Sequence, residues 1–271
     1  MRRTALGTRP DREPVAAKVP EVTALFWVIK VLTTGMGEAA SDALGQASLV
    51  LAAVVGLGGF ALGLRLQLRT RRYVAPVYWF AVAMVAVFGT MAADALHVVL
   101  GISYLASTTF WAAVVGIVLW RWYRSEGTLS IHSITSRRRE NFYWGTVLAT
   151  FALGTAAGDL TAAQLGLGFL ASGVLFAVVM LVPALGGLRF GMNTVVAFWF
   201  AYVITRPLGA SFADWLGKPS WFGGGLGYGD GTVALSATAI IVVLVAVVSV
   251  TRSDVQRPAE PHDDDRVASR L

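Results

Sequence analysis

FWVIKVLTTGMGEAASD (26–42), YWFAVAMVAVFGTMAAD (78–94), YWGTVLATFALGTAAGD (143–159) and FWFAYVITRPLGASFAD (198–214) align without a gap. Each opens with an aromatic residue and then Trp: Trp27, Trp79, Trp144 and Trp199. Gly follows ten residues after the Trp (Gly37, Gly89, Gly154, Gly209), and Asp fifteen after it (Asp42, Asp94, Asp159, Asp214). The chain has ten Asp in 271 residues. Four matches by accident are therefore on the order of 10⁻⁶, and self-similarity at this period marks a repeat architecture.

Around these motifs the composition is that of a membrane protein. Hydrophobic residues make up 56% and charged residues only 14%, against about 25% charged in an ordinary soluble domain. Mean hydropathy is +0.64. These values exclude a disordered chain, a nucleic-acid-binding domain and a soluble enzyme of ordinary surface. Eight apolar stretches, at about 22–43, 47–64, 74–98, 103–120, 142–162, 167–188, 193–213 and 232–250, are each close to the roughly 20 residues that cross a bilayer. Every motif falls on an odd-numbered stretch. The unit is thus a two-helix hairpin, with repeats at about 20–72, 73–137, 138–191 and 192–250, and with tails at 1–19 and 251–271. The expected fold is all-α: eight transmembrane helices as four parallel repeats, pseudo-fourfold or two-plus-two about the membrane normal.

Charge sets the orientation. Of 22 Lys and Arg, 19 lie in the two tails and in the loops after the second, fourth and sixth stretches, among them Arg65, Arg69, Arg121, Arg137 and Arg189. The other loops hold only Lys218, while Lys30 and Arg206 lie within stretches. The positive-inside rule predicts that both termini are cytoplasmic. The basic first 19 residues have no apolar segment of their own and do not read as a secretory signal.

With Trp, Gly and Asp at these spacings, the chain resembles a bacterial membrane-protein family of four tandem two-helix repeats of unknown function, each marked by a Trp. The resemblance covers about residues 20–250. It implies a helical protein of the bacterial inner membrane, with Trp27, Trp79, Trp144 and Trp199 as the family's Trp. It implies no activity.

Function has to be read from the residues. Fifteen helical residues rise about 22 Å, so a Trp in the cytoplasmic aromatic belt sets its Asp well across the bilayer. Helical phase puts Asp, the residue four before it (Glu38, Thr90, Thr155, Ala210) and the Trp within about 60°, while the Gly faces elsewhere and suits close helix packing. Asp42, Glu38, Asp94, Asp159 and Asp214 then form an acidic layer, expected to bind ions or relay protons. Lys30 and Arg206, both on the cytoplasmic half, are expected to form a gate or charge barrier beneath it. Five acids against two bases leave a formal −3, and intramembrane ions mark function by default. The plainer alternatives are Trp as interfacial anchors, Lys30 snorkelling to the surface, and Asp as helix caps or helix glue.

With zero Cys and three His, no thiolate centre is available, and oxygen ligands suit manganese, magnesium or calcium better than copper or zinc. The glycine-rich stretch WFGGGLGYGDG (221–231) lacks the spacing of a phosphate-binding loop, and His262 with Asp263–Asp265 reads as a solvated tail. No Ser–His–Asp set is present, so an enzyme is not expected, nor a cofactor. The expected function is a transporter or channel-like permease for a cation, a divalent metal, with the bilayer and the transported cation or protons as partners, no nucleic acid, and homo-oligomerisation compatible. The alternatives are a proton-coupled permease for a small organic solute and a non-transporting scaffold. Reporter fusions after residues 70, 135 and 260 are expected to read cytoplasmic; a periplasmic signal at any one breaks the hairpin assignment.

Overall fold

A computed structural model describes residues 17–256; the two tails read from the sequence lie outside it but for 17–19 and 251–256. Among the described residues there are nine α-helices: α1 (Ala24–Ala47), α2 (Leu49–Arg69), α3 (Ala75–Asp94), α4 (Tyr104–Glu126), α5 (Arg137–Asp159), α6 (Gly168–Val179), α7 (Leu181–Phe190), α8 (Thr194–Gly217) and α9 (Asp230–Thr251). Short polar side chains start several of them: Thr23, Ser48, Ser103, Ser136 and Asn193 each accept from a backbone N–H of the first turn. The sixth apolar stretch is broken at Met180 into α6 and α7. Pro183 lacks an amide N–H, and its ring opposes the carbonyl of Val179, the residue that ends α6.

Among the described residues, seven helical segments are long and apolar enough to cross a membrane, with α6 and α7 counted as one. The sequence reading has eight. The segment missing from the seven is α1, which carries Lys30, Glu38 and Asp42 spread along its apolar stretch.

The four motif helices, α1, α3, α5 and α8, pack in cyclic order, α1 on α3, α3 on α5, α5 on α8 and α8 on α1. Each partner helix then lies chiefly against the motif helix of the following repeat: α2 on α3, α4 on α5, α6 on α8, and α9 on α1. Burial follows from this. In α3, α5 and α8, 50%, 61% and 56% of the spanning window is buried, against 17–28% in the outer segments. The outer segments leave rows of Leu, Val and Phe exposed, such as Leu49, Val54, Phe110 and Val243. A surface of that kind suits lipid and not water.

The motif accounts for the ring residue by residue. The aromatic before each Trp touches the Trp of the next repeat: Phe26 on Trp79 (5.6 Å between ring centroids), Tyr78 on Trp144 (5.7 Å), Tyr143 on Trp199 (6.2 Å) and Phe198 on Trp27 (5.8 Å). Trp79, Trp144 and Trp199 are buried, so their rings serve contacts between repeats. The glycines follow the same rule. Gly37 lies on Ala86, Gly89 on Phe151, Gly154 on Arg206 and Gly209 on Thr34. In every case the neighbour stands seven residues after the Trp of the next repeat. A Cβ at Gly37 would meet the Cα of Ala86 at 3.1 Å and its carbonyl carbon at 2.9 Å, both backbone atoms that cannot yield cheaply.

Gly37→Val is therefore expected to destabilise the protein by about 1–3 kcal/mol, the usual cost of overpacking. Gly58→Ala, on α2 with open space around it, is expected to change little. Thermal unfolding of the purified variants in detergent checks both.

Candidate functional site

Every fourth residue from the aromatic before the Trp points into the ring, in stacked layers. Phe26, Tyr78, Tyr143 and Phe198 form the first. Lys30, Val82, Val147 and Tyr202 form the second. Thr34, Ala86, Phe151 and Arg206 form the third, and Glu38, Thr90, Thr155 and Ala210 the fourth. All but Phe198 are buried. The four motif Asp make the fifth layer.

Arg206 occupies the centre of the ring. Its Nη2 donates to Glu38 Oε2 at 2.7 Å, to Thr155 Oγ1 at 2.7 Å and to Thr90 Oγ1, and its Nη1 donates to the carbonyl of Thr34 at 2.7 Å. Thr90 and Thr155 also donate to Glu38 Oε2, each at 3.3 Å. Arg206 is 1% exposed and Glu38 4%. The expectation that Arg206 lies below the acidic layer needs correction. Its long side chain reaches into the layer of Glu38 and neutralises that carboxylate.

The sequence predicts Lys30 either in a charge barrier with Arg206 or at the surface as a snorkelling cation. It is 1% exposed, and its ammonium lies 4.1 Å from the Phe151 ring centre and 4.2 Å from that of Tyr202. The Arg206 guanidinium stands 5.2 Å from the same Phe151 ring. Lys30 Nζ has no hydrogen-bond partner among the described residues.

Of the five acids, the structure brings three together. Glu38, Asp42 and Asp214 each place an oxygen within 4.8 Å of the others. Asp214 is buried, and its Oδ1 has no partner among the described residues. Asp94 and Asp159 stand outside this set, though near enough to act on it electrostatically. Each ends its α-helix and is followed at once by a π-helical stretch (Ala95–Val99 and Leu160–Gln164), whereas α1 and α8 run on past Asp42 and Asp214. Repeats 2 and 3 are thus alike, and so are repeats 1 and 4.

Three contributors were missed in the sequence reading. Lys218, just after α8, pairs with Asp42 and, at 3.1 Å, with Asp230 Oδ2, to which Gln46 Nε2 donates at 2.7 Å. Burial pulls the Lys218 ammonium down, but Asp42, Asp214 and Asp230 together outweigh it and hold the group above the ordinary lysine range. Two signals in the sequence pointed here: Lys218 is the single basic residue of the loops that follow the odd-numbered stretches, and Asp230 is the one Asp between 22 and 250 outside the motif. The loop that follows folds back along the end of α8, with Leu226 N–H on the Trp215 carbonyl (2.6 Å) and Gly227 N–H on that of Lys218 (2.9 Å). Gly223, Gly224, Gly227 and Gly229 take positive φ, which this reversal requires.

At the other end of the ring, the segment before α1 crosses the bundle. Lys18 pairs with the fully buried Glu140, which Gln67 also contacts at 3.3 Å. Tyr73 bonds Asp254, and Glu21 N–H donates to the Asp254 carbonyl at 2.8 Å.

A family model, Repeat of Unknown Function (DUF347), matches four times, at residues 25–73, 77–128, 142–192 and 197–254. The chain belongs to this repeat family. Each match begins within two residues of a motif's first aromatic and takes in one motif helix with the partner helix after it. No curated protein and no solved structure matches the chain.

The buried pair gives a stability test. Removing one partner of such a pair leaves an uncompensated charge and costs about 3–5 kcal/mol. Arg206→Met and Glu38→Gln are each expected to destabilise strongly, and the double variant by less than the sum. A double-mutant cycle on detergent unfolding measures the coupling, and full additivity rejects the pair as a stabilising unit.

Proposed function

We propose that this multi-pass membrane protein is a cation permease of the bacterial inner membrane whose cargo is a hard divalent ion such as Mn²⁺, bound at Glu38, Asp42 and Asp214. The observation that carries the reading is the convergence of those three carboxylates within 4.8 Å, with a buried Asp214 oxygen left without a partner among the described residues. Three carboxylates crowded together repel one another, and a divalent cation relieves that repulsion with oxygen ligands of the preferred kind. The Lys218 ammonium balances part of the charge and is the group a cation displaces on entering.

The reading takes α1 as an eighth span, because the cyclic packing of the motif helices leaves it no place outside the ring. It takes both termini as cytoplasmic, from the 19 basic residues on that side. The repeats then run parallel about the membrane normal, and the acidic end faces outward. Below Glu38 the axis is filled by Phe151, Tyr202 and the aromatic layer, so passage requires Arg206 to leave Glu38 and those layers to part. The bilayer and the cation are the partners of this activity; it calls for no cofactor, no catalysis and no nucleic acid.

Flux of Mn²⁺ into proteoliposomes, with and without a pH gradient and normalised to inserted protein, tests the proposal. Asp42→Asn and Asp214→Asn are expected to cut flux tenfold or more while insertion is unchanged. Asp94→Asn and Asp159→Asn, outside the close set, are expected to cost less. Full flux in all four variants removes the acidic layer from transport and favours a scaffold held together by these residues.

A further inference from the structure

Lys30 is the buried ion for which the transport reading has no use. Its amine is enclosed between Phe151 and Tyr202, with no hydrogen-bond acceptor among the described residues. Aromatic faces stabilise an ammonium, but less well than the water it has lost. The charges facing it are few. From α8 come Arg206 and the Tyr202 ring. From α5 and α3 come Tyr143 and Tyr78, whose hydroxyls bond each other. On α1 itself, Glu38 lies two turns on and is held by Arg206. On α9 the single ionisable residue is Asp230, at the opposite end, and on α2 Arg65 and Arg69 are exposed.

Resting on the cation site proposed above, we propose that Lys30 is a proton-binding site that empties when a divalent cation binds, so that the protein exchanges cation for proton. The link is Arg206. With the outer site free of cargo, Glu38 neutralises Arg206, and Lys30 keeps its proton over the two rings. A divalent ion on Glu38, Asp42 and Asp214 competes with Arg206 for Glu38 Oε2. The guanidinium then keeps only neutral partners, Thr90, Thr155 and the Thr34 carbonyl. Its uncompensated charge acts on Lys30 across their shared Phe151 ring. The ammonium becomes a neutral amine and one proton leaves; no other bond changes. Linkage makes the effect mutual: protonating Lys30 weakens cation binding by the same factor.

A row of tyrosines lies between Lys30 and Asp254. Tyr202 stands beside Lys30 with its hydroxyl unpartnered among the described residues, Tyr143 and Tyr78 bond each other, and Tyr73, whose ring lies 5.6 Å from that of Tyr78, bonds Asp254; a proton using this row crosses gaps at Tyr202 and between Tyr78 and Tyr73. Asp254 lines a cleft of about 370 Å³ together with Arg72, Tyr73 and Arg252, at the end of the ring where the motif helices begin. Burial holds Asp254 above the ordinary carboxylate range, which suits a proton acceptor at the base of that cleft.

The test uses full-length protein in detergent and weak buffer. MnCl₂ is added, bound Mn²⁺ is counted from the free-ion signal, and released protons are counted with a pH dye. Lys30→Met fixes the site neutral and Lys30→Arg fixes it charged. Both are expected to bind Mn²⁺ and to release up to one proton fewer per ion than the wild type, with Lys30→Arg binding about tenfold more weakly. Equal proton release in the wild type and both variants overturns the proposal while leaving the cation site intact. Absence of Mn²⁺ binding in the wild type overturns the cation site, and the exchange with it. Tyr143→Phe is expected to slow proton release without changing its amount; an unchanged rate rejects the tyrosine route.

Discussion

One guanidinium holds the four repeats together. Arg206 on α8 bonds Thr34 and Glu38 on α1, Thr90 on α3 and Thr155 on α5, so a single side chain touches every motif helix. In an apolar surrounding such a charge persists only if its hydrogen bonds and its counter-charge are supplied together. The neighbours follow from that need. Glu38 supplies the negative charge, and two threonines supply oxygen without adding more of it. Ala210, the fourth member of that layer, adds neither charge nor bulk.

Much of this was legible in the sequence, because the repeat wrote it four times. The aromatic–Trp pair, the Gly and the Asp each do one job, and the ring closes because each repeat presents to the next what it receives from the one before. Phe26 on Trp79 and Gly37 on Ala86 have counterparts at every junction. Helical spacing identified one face, but not the aromatic before the Trp as its innermost member. Phase measured from an ideal helix axis ignores how crossing helices turn, and the inward stripe here follows a spacing of four.

The parts that sequence did not yield are those where the repeats differ. Lys218 and Asp230 belong to the loop after α8 and to the start of α9, outside the motif alignment, and no periodicity connects them to Asp42. The reach of Arg206 into the layer above its own was equally hidden, since residue spacing fixes a Cα and not the end of a long side chain. Asp94 and Asp159 match the motif perfectly and still part from their counterparts, because the helix under each passes into a π-helical stretch that re-aims the chain.

That divergence follows from the geometry of a ring. A strictly symmetric layer near the axis would place four copies of any side chain within contact of one another. Four glutamates would repel, four arginines would repel, and four alanines would leave a void. A central ion pair therefore demands that the repeats differ at the fourth layer, and Glu, Thr, Thr and Ala meet that demand around one Arg. The same limit applies one turn on, where the motif does keep four like acids. There the crowding is relieved by spreading: Asp94 and Asp159 stand apart, while Asp42 and Asp214 draw close to Glu38 under the ammonium of Lys218. Charge is thus concentrated between repeats 1 and 4, the pair that closes the ring. Those repeats are the ends of the bundle in sequence and neighbours in space. Any movement that opens the α1–α8 junction must separate Arg206 from Glu38 and Lys218 from Asp42 together, so in the permease reading proposed above that junction is where cation binding and rearrangement of the bundle would share one set of contacts.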